Sequence, residues 1–219
     1  MPRQARVVIP HCPHHVTQRG NYRQAIFHEQ ADCDYYCHLI AAYSAKYRIK
    51  IYGYCLMLNH VHFIATPSSA DALARFFNTA HMRYSQYINK KQQSVGHLWQ
   101  GRFFSCVLDP EYLYDGVRYV EQNPIRAGLI EHAWDYYYSS AQEHTERGES
   151  PIPLEKTARF PDVSSWSDYL SVYDEQFFDD IRLKTHRGLI VGSPDFVRKM
   201  ESRMHRSFIC RSPGRPRKN

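Results

Sequence analysis

Apolar and polar positions change their period several times along this chain, and each change marks an element. From His14 to Gln18 they alternate as in a strand, and Arg19-Gly20-Asn21 ends the run with a turn signal. Tyr36, Leu39, Ile40 and Tyr43 then recur at three- and four-residue intervals, which predicts a helix from about Asp32 to Tyr47. Lys50 to Met57 and His60 to Thr66 read as two strands of a hairpin, joined tightly at Leu58-Asn59 and closed by Pro67. A second amphipathic helix is predicted from about Ala70 to Lys90, with Leu73, Phe76, Phe77, Ala80, Tyr84, Tyr87 and Ile88 on its apolar side. Phe103 to Leu108 reads as a further strand and Glu111 to about Gln122 as a third helix.

The order β-α-β-β-α-β predicts an α+β protein with a ferredoxin-like antiparallel sheet, its two helices on one face and the other face left open as a platform. Fold alone does not fix a function. Pro153 to Ser167, rich in Pro, Ser and charge, reads as a linker, and helices resume at Trp166–Arg182 and Pro194–His205. The second of these opens on Ser193-Pro194, a capping residue followed by Pro at the first helical position.

Composition narrows the class. Hydrophobic residues make up 43% and charged residues 23%, enough apolar material for a packed core and too little charge imbalance for wholesale disorder. No run approaches the roughly 18 apolar residues of a membrane span, and Met1 to Pro10 carries no apolar signal segment, so a cytoplasmic location is expected. The six cysteines are scattered without a C-x-x-C pair and are expected reduced and mostly buried, with Cys33 and Cys37 packing one helical turn apart.

Net charge is +6, but its distribution says more than its total. Residues 1–130 carry +6, residues 131–201 carry −6, and residues 202–219 hold six basic and no acidic side chains. Basic blocks at both ends suit contact with a polyanion such as nucleic acid.

The candidate chemistry starts at His60 and His62. Period two places both imidazoles on one face of their strand, where they can share a divalent cation. Tyr119 and Asn123, four apart, share one face of the third helix and present a phenol and an amide oxygen together. Tyr112 and Tyr114 lie close by in sequence, and spacing alone does not choose among the three phenols. Pro124 disfavours helical geometry at Asn123, so the use of that amide requires a bend.

Leu56-Met-Leu-Asn-His-Val-His-Phe63, Leu98-Trp-Gln-Gly-Arg-Phe103 and Tyr119-Val-Glu-Gln-Asn-Pro-Ile-Arg-Ala-Gly-Leu129 together resemble the REP-associated tyrosine transposases, relatives of the single-tyrosine HUH transposases. His14-His-Val-Thr-Gln-Arg-Gly-Asn21 looks like that family's opening strand, so the likeness runs in order over about residues 7–145. The resemblance implies that His60 and His62 are the HUH pair, that Asn123 completes the metal site where relatives often carry Gln, and that Tyr119 is the nucleophile. It also implies Mg²⁺ or Mn²⁺ as cofactor, with zinc admitted by the ligand types alone. The implied substrate is single-stranded DNA with hairpin-forming repeats, cleaved and rejoined through a 5′-phosphotyrosine, by a monomer or a homodimer. Residues 1–145 would then form the catalytic domain, 146–205 a helical extension and 206–219 a basic tail.

Arg19, Asn21 and Arg23 on the first turn and Arg102 before the fourth strand are the candidate DNA contacts. Aromatics at 14%, with 17 Tyr, could stack unpaired bases. The tail, Arg211 to Asn219, resembles an AT-hook through Gly214-Arg215-Pro216 with Arg217 and Lys218, although Pro213 stands where Arg is usual. Two rival readings remain at this level: a non-catalytic nucleic-acid-binding module on the same sheet, and a metal-dependent phosphodiesterase that uses water.

Overall fold

A computed structural model of the chain describes residues 6–156 and 163–208. The strands are β1 (His14–Arg19), β2 (Ile49–Met57), β3 (His60–Pro67), β4 (Phe104–Leu108) and β5 (Ile190–Val191). Helix α1 (Gln30–Tyr47) follows β1, and α2 (Ala72–Lys91) follows β3. After β4 come α3 (Leu113–Glu121), α4 (Asn123–Arg126), α5 (Ala141–His144), α6 (Val163–Ser171), α7 (Glu175–Arg187) and α8 (Pro194–Met204). The sheet order is β2-β3-β1-β4-β5. The first four strands pair antiparallel, which gives the ferredoxin-like βαββαβ frame, and β5 adds a parallel edge to β4.

Period two sorts the strand residues cleanly. One face carries Val16, Tyr54, Leu56, Val61, Phe63 and Ala65, which pack with α1 and α2 around Tyr36, Phe76, Phe77 and Tyr84. The other face carries Cys55, Met57, Ile64, Cys106 and Leu108. This second face is not open as the sequence pattern predicted: Val117, Tyr119 and Val120 of α3, Trp166 and Leu170 of α6, and Phe178 and Ile181 of α7 cover it. Helix α3 comes so close that a Cβ on Gly116 would stand 2.7 Å from Leu108 Cδ1 and 3.2 Å from Ile64 Cδ1. Glycine at that position is what lets the helix lie down on the sheet.

The buried carboxylate of Glu121 ties α3 to its neighbours. It accepts from Ser140 Oγ at 2.5 Å, His144 Nδ1 at 2.6 Å and Trp166 Nε1 at 3.1 Å. The single helix expected over Trp166–Arg182 is interrupted. Gln122 Nε2 donates to the carbonyls of Leu170 and Val172 at the end of α6, and Asp174 restarts the chain by accepting from Phe177 N at 2.9 Å. The expected start of α8 holds, with Ser193 Oγ accepting from Phe196 N and Pro194 at the first position.

The expected linker over Pro153 to Ser167 is structured in its described parts: Glu155 N donates to Ile51 O at 2.7 Å, and Val163 to Ser167 already belong to α6. Cys33, Cys37, Cys55 and Cys106 are free and buried, and Cys12 is free and half-buried. The candidate tail contacts Arg215, Arg217 and Lys218 lie outside the described residues, as does Cys210. Among the described residues no helix is long and apolar enough to cross a membrane.

Candidate active site and metal-ligand set

Where α3, α4 and α7 diverge over the second face they leave a cavity of about 390 Å³. The antiparallel register builds its floor: Arg19 stands opposite His60, Thr17 opposite His62, and His15 opposite Ile64. His60 and His62 do share a face, with ring centroids 4.9 Å apart. Tyr119 enters from α3, its ring centroid 6.0 Å from that of His62 and 5.2 Å from that of His15. Asn123, Arg126 and Arg182 complete the wall, and among the described residues no carboxylate lines the cavity.

The chain does break near Pro124, but one residue earlier than the sequence predicts: Asn123 itself is helical. Helix α3 ends at Glu121, Gln122 leaves helical geometry with φ −81° and ψ 0°, and α4 begins at Asn123 with Pro124 in its first turn. Asn123 Nδ2 then donates back to the carbonyls of Tyr119 and Val120 at 3.2 and 2.9 Å. Those bonds fix the amide's orientation and leave Oδ1 as its remaining acceptor.

The same accounting orients His60. Asn59 Nδ2 donates to Arg23 O at 3.0 Å, so Asn59 Oδ1 is the atom that faces His60 Nδ1 at 2.7 Å. An amide oxygen only accepts, so His60 carries its proton on Nδ1 and its lone pair on Nε2. His62 Nδ1 is taken by His15 Nε2 at 2.9 Å, which again leaves Nε2 for the cavity. Burial holds the His60 imidazolium at about 4 and the His62 imidazolium well below its ordinary value, with Arg19 and Arg126 adding to the effect. Both rings are therefore neutral donors at neutral pH.

Among the described residues no three His, Cys, Asp or Glu side chains gather as a metal-binding group. The set that does gather is two imidazoles and an amide, and each has its N–H end occupied and a lone pair left over. Such a mixed nitrogen and oxygen set fits a divalent cation with open positions for a further ligand.

Tyr119 is only 3% exposed yet lines the cavity. Burial raises its phenol above the ordinary value, while the nearby Arg126 and Arg182 oppose that rise. Arg126 Nη1 is buried without a hydrogen-bond partner among the described residues. The cavity is lined by three guanidinium groups, of which Arg182 pairs with Asp179 at 3.1 Å, and by no carboxylate among the described residues, a balance that suits a phosphate.

Of the residues singled out in the sequence, the cavity unites His60, His62, Tyr119, Asn123 and Arg19. Asn21 and Arg23 stand on the adjoining turn, where Tyr22 and Arg23 both take positive φ and Tyr22 is 93% exposed. Arg102 lies farther off, in a second cavity that shares Gln100, Phe104, Thr185 and His186 with the first. Tyr112 and Tyr114 pack instead against Phe177 and Trp166, away from the imidazoles.

Sequence reasoning missed His15, Arg126, Arg182 and Thr185. His15 has the same strand parity as Thr17 and Arg19, a signal that was available. Arg126 sits within the Tyr119–Leu129 motif, but nothing in the spacing aims it back at the ring. Arg182 and Thr185 reach the site only through the docking of α7.

The sheet thus presents paired imidazoles beside a helical phenol. The family model described as "Transposase IS200 like" matches residues 8–123, and the chain belongs to that family. Among solved structures it is similar to a REP-associated tyrosine transposase bound to a REP hairpin, the group its motifs resemble. That match has a TM-score of 0.58 and 18% identity, and covers 74% of this chain and 94% of the other. No curated protein matches.

Proposed function

We propose that this transposase cleaves and rejoins single-stranded DNA at hairpin-forming repeats, with Tyr119 as nucleophile and His60, His62 and Asn123 as ligands of Mg²⁺ or Mn²⁺. The observation that carries the reading is the convergence of Tyr119 with the two imidazoles in one cavity of a single chain, lined by no carboxylate among the described residues. A bound divalent cation would polarise the scissile phosphodiester through its nonbridging oxygens.

The chain's own groups do the rest. His60, His62 and Asn123 offer oriented lone pairs, and Arg126 and Arg182 bind and orient the anionic phosphate. Tyr119 Oη attacks phosphorus in line as it loses its proton, forming a 5′-phosphotyrosine and releasing a 3′-hydroxyl. The ester bond is conserved, so the strand can be rejoined to another end without ATP.

Because Tyr119 lines the cavity of its own histidines, the reading is a site complete in one chain, in a monomer or in each subunit of a homodimer. Arg19, Asn21, Arg23 and Arg102 contact the DNA, with Tyr22 as a stacking face, and Arg215, Arg217 and Lys218 add phosphate contacts from the tail. The working division is a catalytic unit over 1–145, a helical extension over 146–205 and a basic tail over 206–219, acting in the cytoplasm. The similar solved protein was seen with a REP hairpin, which supports that substrate class.

The test is incubation with labelled single-stranded hairpin DNA and Mn²⁺ or Mg²⁺. A denaturant-resistant adduct is expected, lost in Tyr119→Phe and retained in Tyr112→Phe and Tyr114→Phe. Metal-dependent cleavage without an adduct supports a water nucleophile, and binding without cleavage supports a non-catalytic module.

A further inference from the structure

Polar groups from α7, β1, β4 and β3 form one set of hydrogen bonds that ends on His62. Thr185 of α7 donates its hydroxyl to Ile181 O at 2.6 Å. His15 Nδ1 lies 2.7 Å from the same Thr185 Oγ1, and Cys106 Sγ lies 3.1 Å from it. His15 Nε2 lies 2.9 Å from His62 Nδ1. The direction of every bond follows from its far end. A carbonyl only accepts, and an oxygen 2.6 Å away must hold its proton toward it, so the Thr185 hydroxyl is spent on Ile181. Thr185 Oγ1 therefore accepts from both its other neighbours: the Cys106 thiol and His15 Nδ1–H.

His15 is buried, its two nitrogens face a hydroxyl and an imidazole, and no carboxylate among the described residues lines the cavity, so its ring carries one proton. With that proton on Nδ1, Nε2 is an acceptor, and His62 must donate from Nδ1. The His62 lone pair is thereby placed on Nε2.

We propose that His15 and Thr185 are positioning residues that lock His62 in its Nδ1–H tautomer, so that the docking of α7 sets how well a β3 imidazole can hold the cation. This inference rests on the metal reading given above. Helix α7 covers the sheet, and its Ile181 carbonyl also decides which nitrogen of His62 carries the proton. Groups that orient a ligating histidine in this way typically change metal affinity 10- to 100-fold when removed.

Two measurements on the full chain test it. In the metal-free protein, long-range ¹H–¹⁵N correlation of the histidine rings should show His62 as the Nδ1–H tautomer; an Nε2–H form overturns the proposal without any variant. In a Mn²⁺ titration, Thr185→Val, nearly isosteric but without the hydroxyl, should bind about 10-fold more weakly or worse, and Thr185→Ser should restore affinity to within about threefold of the parent. Thr185→Val binding like the parent overturns the relay. His60→Ala separates this from the wider reading. If His60→Ala also binds Mn²⁺ like the parent, the ligand set itself is wrong. If His60→Ala loses Mn²⁺ while Thr185→Val keeps it, the relay alone fails.

Discussion

Arg126 folds back over the tyrosine seven residues before it: Nη2 donates to the Tyr119 carbonyl at 2.9 Å, and the guanidinium carbon lies 4.4 Å from the centre of the Tyr119 ring. The second amino group, Nη1, is buried, and among the described residues it has no hydrogen-bond partner and no carboxylate lines the cavity beside it. A buried donor unpaired among the described residues is available to an anion that enters the cavity. Arg126→Gln should therefore slow single-turnover cleavage of hairpin DNA by about 100- to 1000-fold, the usual loss for one preorganised donor to a developing oxyanion. Mn²⁺ affinity should be retained, since Arg126 is not among the ligands. Cleavage at the parent's rate would show that this guanidinium only packs.

Glu121 stands two residues from Tyr119 on the opposite side of α3 and holds that helix through three donors, two from α5 and its cap and one from α6. Removing the carboxylate strands those donors in an apolar interior, which costs far more than the net worth of the bonds. Glu121→Ala should lower unfolding stability in urea by about 3 kcal/mol. Glu121→Gln, which keeps the size and one acceptor, should lose less. Equal stability of the two variants and the parent would mean that the α3 position is set by apolar packing alone.

Residues whose placement follows from local periodicity were legible in the sequence, and residues placed by tertiary docking were not. Strand parity sorted His60 with His62, and helical spacing paired Tyr119 with Asn123; both pairs line the cavity. The bend expected at Asn123 falls one residue earlier, at Gln122. By contrast, His15 shares its parity with Thr17 and Arg19, but only the register that sets Thr17 against His62 brings it within reach of the imidazole pair. Thr185 lies 170 residues from His15 and meets it through packing alone. The two-residue strand β5 is too short for any alternation to show, and it forms because Val107 and Leu108 offer an edge. The break between α6 and α7 depends on Gln122 capturing two carbonyls from another helix, which no local pattern encodes.

The second cavity, about 640 Å³, runs on from the first past Phe104 and is lined by Arg6 and Arg102 among other basic groups, again without a carboxylate among the described residues. Arg6 lies over the Phe103 ring at 3.7 Å, and its Nη2 and the hydroxyl of Ser105 are buried without partners among the described residues. Burial and the neighbouring Arg102 push the Arg6 guanidinium down to about 10, so it remains charged at neutral pH. If a DNA strand passes here, each guanidinium that meets a phosphate releases counterions. Arg6→Gln and Arg102→Gln should each weaken single-strand binding and reduce the slope of log affinity against log salt by about 0.7. Fluorescence anisotropy over a salt series reads both quantities. An unchanged slope in both variants would place the strand elsewhere.

His81 offers a stability test far from the candidate chemistry. It is buried between α1 and the Trp99 segment, shares a 2.9 Å hydrogen bond with Tyr36 Oη, and packs tilted against Trp99 with ring centroids 4.4 Å apart. Burial alone depresses its imidazolium from 6.5 to about 3. The unfolded chain binds a proton here as pH falls below about 6.5, while the folded chain does not until about 3. The residue's contribution is thus complete above 6.5 and is lost progressively on acidification, as the unfolded state gains protons that the native state refuses. His14 and His15, held at about 4 and about 3 by burial, act in the same direction, so the parent should lose stability steeply between pH 6 and pH 4. His81→Gln keeps a partner for Tyr36 but has no proton to bind. Its urea-unfolding free energy should fall less steeply over that interval, by about 1.4 kcal/mol per pH unit, the value for one proton. Identical slopes for His81→Gln and the parent would mean that His81 is protonated in the native fold.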